Sequence, residues 1–175
     1  MQSLEILLEI GGLKFPESEK LAMAEKKNTL YVSYIEKMTP EEILPGVEKF
    51  LQELRNSGVK IALGSASKNA PMILERIQLS GMFDAIVDGN SIMEAKPNPE
   101  VFLKGAEKLG VLPEHCVVFE DAIAGIEAAQ NANMYSVGIG DPETLGFADL
   151  VIPGFEGFTL EKLIAPFLFP RRGKD

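Results

Sequence analysis

Val59-Lys60-Ile61-Ala62-Leu63-Gly64-Ser65-Ala66-Ser67-Lys68-Asn69 is the stretch that decides the fold. Its first part, Val59–Ser65, reads as a short buried strand, apolar without alternation. It follows Gly58, which closes the helical stripe of Val47, Phe50, Leu51 and Leu54. Its second part offers small hydroxyl residues, free backbone N–H groups and one ammonium at a strand-to-helix turn, a setting that suits a phosphate. The same residues equally suit a plain polar turn with an N-cap for the next helix.

Downstream the texture repeats. A helix over Pro71–Leu79 leads to the strand Ala85–Asp88, and a helix from Asn98-Pro99 to Leu109 leads to the strand Val117–Phe119. A helix over Ala122–Ala132, the strand Tyr135–Ile139, a short strand Leu150–Ile152 and a helix around Leu160–Phe167 complete it. Apolar strands alternating with helices predict an α/β fold, a parallel Rossmann-like sheet with helices on both faces. Upstream, residues 1–38 read as helix only. Leu21, Ala24, Tyr31, Ile35 and Met38 recur at helical spacing and predict one apolar face, after a short helix around Ser3–Ile10. Thr39-Pro40-Glu41-Glu42 has the form of a capping box and marks the boundary. Two parts follow: a helical unit at 1–38 and an α/β core at 39–175.

Composition narrows the function. The 175 residues carry a formal net charge of −9, which argues against a nucleic-acid binder, because phosphate backbones need clustered Lys and Arg. A protein so negative that binds a phosphate ester must build local positive charge, from a metal ion or one or two lysines. Cys116 is the single cysteine, so no intrachain disulfide forms, and a cytoplasmic setting is the expectation. No apolar run reaches the roughly 18–20 residues a membrane span needs, so no membrane partner is expected. His115 stands before a strand without a Ser or Cys partner and reads as a surface residue; Cys116 reads as a small core residue.

In parallel sheets ligands bind beyond the carboxyl ends of the strands. The turn Ser65-Ala66-Ser67-Lys68-Asn69 ends one strand, and Glu120-Asp121 ends another. Two adjacent carboxylates there suit a hard cation, although Asp121 would also cap the helix that follows. Between them Lys96 lies in the stiff segment Glu94-Ala95-Lys96-Pro97-Asn98-Pro99, where a fixed ammonium could neutralise both a phosphoryl group and a carboxylate. Lysines before proline are also common as plain solvated loop residues.

A Ser-bearing strand end, a Lys-Pro-x-Pro and an acidic pair opening an Ala/Gly helix, in that order, resemble the second, third and fourth motifs of the haloacid dehalogenase superfamily. Within it, Ser65–Asn69 is similar to the β-phosphoglucomutase branch, and Lys27, Asn28 and Tyr31 resemble that branch's helical cap. The resemblance implies phosphoryl transfer on a small phosphorylated sugar with Mg2+ as cofactor. It implies that Glu120 and Asp121 hold the metal and that Ser65 and Lys96 bind the transferring phosphoryl group with help from the Ala66 backbone. Ser67, Lys68 and Asn69 would hold a second phosphate, and Lys27 would reach across from the cap. Related sugar-phosphate phosphatases share most of these residues.

One motif is missing. The superfamily's first motif, Asp-x-Asp at the end of an inner strand, supplies the nucleophile and the proton shuttle, and no Asp-x-Asp occurs here. The expectation is therefore a chain truncated within its cap, so that 1–38 is a partial cap, with two apolar strands facing each other across a gap, and inactive as it stands. A strand from another chain or a non-catalytic role are the alternatives.

Overall fold

Packing, rather than propensity, sets where each element begins and ends. The computed structural model describes residues 2–168. Its order is α1 (Gln2–Ile10), α2 (Glu17–Ile35), α3 (Val47–Asn56), β1 (Ala62–Gly64), α4 (Ala70–Arg76), β2 (Ala85–Val87), α5 (Glu100–Leu109), β3 (Val117–Glu120), α6 (Ile123–Asn131), β4 (Tyr135–Ile139), α7 (Pro142–Leu145), β5 (Leu150–Ile152) and α8 (Leu160–Leu168). The α/β class and the alternation of elements are as the sequence indicates.

All strand pairs are parallel, but they form two separate sheets. β1 pairs with β2 (Ala62 opposite Ala85), while β3, β4 and β5 form a second sheet in that order (Val117 opposite Tyr135, Val137 opposite Leu150). Both share one core. Phe50, Leu51 and Leu54 of α3 and Leu163 of α8 pack with Leu63 of β1, Ile86 of β2, Phe119 of β3 and Val137 of β4. On the opposite face Val118 packs with Ala106 of α5 and Ala129 of α6. Successive β3 residues thus enter opposite cores, as the two-residue period of a strand requires. Four rings, Phe50, Phe119, Phe155 and Phe158, stack with centroids 5.2–6.4 Å apart.

Several expectations need correction. The strand expected over Val59–Ser65 is only Ala62–Gly64. Its start is held differently: the Ile61 N–H donates to the Asp84 carboxylate at 2.8 Å, and the Ile61 carbonyl accepts from Asp84 N at 2.7 Å. The Ile61 N–H bond, with help from Arg55, holds the Asp84 carboxyl below its ordinary range. Thr39 makes no side-chain cap, and Pro40–Glu42 is one tight 3-10 turn. The apolar face expected on α2 is not buried as a stripe: Ile35 is buried, whereas Leu21 and Tyr31 are exposed. Residue 1 and residues 169–175 of the two expected parts lie outside the described residues. No helix among the described residues is long and apolar enough to cross a membrane.

Candidate functional site

The turn after β1 is built by its own hydroxyls. The Ser65 N–H donates to the Val87 carbonyl at 2.8 Å, tying the turn to β2. The Ser67 N–H donates to Ser65 Oγ at 3.1 Å, and the Asn69 N–H donates to Ser67 Oγ at 3.2 Å. Each hydroxyl thus accepts within the turn and keeps its own hydrogen for another acceptor. Asn69 stands at the N-cap of α4, but its side chain makes no cap bond there. Its Nδ2 donates instead to Asn28 Oδ1 on α2 at 3.4 Å, a tie between the helical unit and the turn. Gly89 lies beneath: its N–H donates to the Ser67 carbonyl at 3.1 Å, and a Cβ there would overlap the Ala66 carbonyl and lie 3.0 Å from Lys68 N.

The segment carrying Lys96 is fastened on both sides. Glu100 opens α5 and accepts from the N–H groups of Met93 and Glu94 at 2.8 and 2.9 Å and from Lys104 Nζ at 2.6 Å. The Lys104 ammonium first, then those two N–H groups, pull the Glu100 carboxyl down to about 2. The Lys96–Pro97 peptide is cis, and the Pro97 carbonyl accepts from Asn131 Nδ2 at 3.0 Å. The Lys96 ammonium lies 4.8 Å from the centre of the Phe102 ring, within cation–π range, and forms an ion pair with Glu120. The side chains of that pair are 19% and 10% exposed, so the solvated-loop reading of Lys96 does not hold.

Glu120 is the last residue of β3, and Asp121 is exposed just beyond it. Asp121 does not cap α6, whose N-cap is Ala122 without a side-chain bond. Among the described residues no group of three or more His, Cys, Asp or Glu side chains stands together as a metal centre. The two carboxylates fit Mg2+ as an open, partial site, because that ion takes hard oxygen donors, keeps several waters and is often held by one or two carboxylates.

The parts meet through Phe102. A Cβ at Gly64, the last residue of β1, would lie 3.3 Å from the Phe102 ring, whose face carries Lys96, which reaches Glu120 at the tip of β3. The tips of the two sheets are thereby joined by one cation. Lys68 and Lys27 are exposed, and neither ammonium meets a partner among the described residues. Phe102, Asn131 and Gly89 were not legible as site residues. An aromatic six residues after Lys96 is the only local signal for Phe102, since its role comes from packing. His115 is exposed as expected, and Cys116 is half-buried, its thiol pushed up by burial and by Glu114.

Residues 8–133 match the model of the haloacid dehalogenase-like hydrolases. The β-phosphoglucomutase of Bacillus subtilis (strain 168) is 42% identical over 164 residues, 93% of this chain and 73% of that protein. The phosphorylated carbohydrates phosphatase of Thermotoga maritima is 32% identical over 136 residues, 76% of this chain and 60% of that protein. The crystal structure of β-phosphoglucomutase from Clostridium difficile superposes with a TM-score of 0.87 at 44% identity, covering 93% of this chain and 74% of that one. A fold of parallel strands between helices thus has its counterparts among these proteins, and the chain belongs to the haloacid dehalogenase-like hydrolase family.

Proposed function

We propose that this chain carries the phosphate-binding and charge-neutralising parts of a Mg2+-dependent phosphotransferase for phosphorylated sugars. The reaction is that of a β-phosphoglucomutase, converting β-glucose 1-phosphate to glucose 6-phosphate through an aspartyl-phosphate. The observation that carries this reading is the half-buried Lys96–Glu120 pair at the strand tips. An ammonium held there neutralises a phosphoryl group that arrives beside Ser65, and catalysis of this kind rests on positioning and charge neutralisation. The Ser65 hydroxyl and the Ala66 backbone bind the transferring phosphoryl oxygens. Ser67, Lys68 and Asn69 hold the second phosphate, and Lys27 approaches from the helical unit, which already touches the turn through Asn28. Glu120 and Asp121 would hold Mg2+, whose charge supports the same neutralisation when bound. The setting is cytoplasmic.

The nucleophilic carboxylate is not among these residues, since no Asp-x-Asp occurs in the sequence. β1 and β3 are each paired on one side only among the described residues, and α5 packs near both, with Phe102 beside Gly64 and Ala106 in one cluster with Val118. A further parallel strand between them would present its end beside Lys96. In this reading the chain as it stands binds and does not turn over, and a strand on the same or another polypeptide completes the site. Residues 1–38 act as a partial cap and 39–175 as the core.

A phosphatase is the second reading, favoured by the similarity to the Thermotoga maritima phosphatase. Lys68 and Asn69 favour the mutase, because a mutase must keep a bisphosphorylated sugar bound while it reorients. Two measurements test the assignment. Calorimetry should show Mg2+-dependent binding of glucose 1,6-bisphosphate, lost in Lys96→Ala; no binding by the wild type removes the reading. In a form completed with an Asp-x-Asp strand, isomerisation should outrun release of inorganic phosphate; the reverse makes it a phosphatase. A chain that folds cooperatively and binds, and gains no turnover on completion, is a binding module.

A further inference from the structure

Glu120 owes its position to a missing side chain. Gly125 lies buried in the first turn of α6, among Ala122, Ala124, Ala128 and Ala129. Its φ is not positive, so glycine is not required there by backbone conformation. Glycine inside a helix costs roughly 1 kcal/mol relative to alanine, so an alanine would favour the helix. Space is what forbids it. A Cβ at Gly125 would overlap the Glu120 carboxylate and lie 2.7 Å from its Cγ. Gly105 in α5 is a contrast: a Cβ there would meet only Ala62 Cβ, at an ordinary 3.7 Å.

The Glu120 carboxylate therefore lies on the bare backbone of α6 with the Lys96 ammonium on it. We infer that Gly125 is a positioning residue: its absent side chain is the seat that sets the Glu120 carboxylate onto Lys96 and fixes where a divalent cation is held. The inference rests on the proposed phosphotransferase reading for its purpose, although the seat itself is a matter of geometry.

The test uses the 175-residue chain and two readouts other than turnover. One is the 15N side-chain resonance of the Lys96 ammonium, identified by its loss in Lys96→Arg. The other is Mn2+ affinity. Gly125→Ala should move the Lys96 resonance to the region of solvent-exposed lysines and weaken Mn2+ binding by about tenfold or more, the scale seen when a partner that orients a metal ligand is lost. Gly125→Ala/Glu120→Asp, with a carboxylate one methylene shorter, should recover both, and Gly105→Ala should change neither. Wild-type values in Gly125→Ala overturn the inference, as does a loss, including loss of folding, shared equally by the single and double variants. If the wild type binds no Mn2+ while the Lys96 resonance moves and recovers as expected, the seat stands and the phosphotransferase reading falls.

Discussion

At the residue scale, the site depends on charges and carbonyls kept in place by close neighbours. Lys96→Ala would leave the Glu120 carboxylate, 10% exposed, without its cation. Breaking one side of such a pair should cost about 3 kcal/mol in urea denaturation, most of it recovered in Lys96→Ala/Glu120→Ala. A double variant less stable than the single one would show that the pair is not the source. Gly89→Ala should push the Ala66 carbonyl outward, weakening binding of inorganic phosphate, measured by 31P line broadening, and lowering the melting temperature. The residues of this site that touch a ligand in the proposed function were legible because they are chemically distinctive and stand at strand ends. Phe102, Asn131 and Gly89 were not, because a phenyl ring, an amide and a glycine acquire these roles only when distant segments pack together.

At the element scale, two devices hold the strand tips. The four-ring cluster fastens α3 to β3, with Phe50 only 3% exposed. Phe50→Ala should therefore cost about 3–5 kcal/mol, read from the denaturation midpoint. The second device is Glu100, which ties the Lys96 loop to α5. Its carboxyl lies at about 2 against an ordinary 4.5. A depressed carboxyl stabilises the fold above the ordinary value and loses that contribution as pH falls towards the folded one. Hydrogen-exchange protection of the Met93 and Glu94 amides should therefore fall, beyond the intrinsic pH trend, between about 4.5 and about 2, and Glu100→Gln should abolish that dependence. Tyr135–Ile139 and Leu150–Ile152 had the boundaries the sequence indicates. Val59–Ser65 did not, because Asp84 supplies bonds that a ladder would otherwise make, and no local pattern announces such a substitution.

At the scale of the whole molecule, the α/β class was legible from apolar runs alternating with helical stripes. The helical unit was legible in kind, and its burial was not: spacing marks a face as apolar but cannot say what covers it. The division into two sheets follows from pairing, a tertiary property, and the lack of an Asp-x-Asp strand was the only hint of it. It gives a measurable expectation. Amides of β1 and β3, paired on one side, should exchange faster than those of β4, which is paired on both. Equal protection across β1, β3 and β4 would contradict it. One hydrogen bond across the core adds a kinetic consequence. Leu160 N–H, at the start of α8, donates to the Glu53 carboxylate of α3 across a sequence separation of 107, whereas each strand pairs with its neighbour in the chain. Loop closure of that length is entropically slow to be rewarded. Each sheet can condense early from local pairings, and the seam between α3 and α8 closes last, so the order of assembly is written into the distances along the chain.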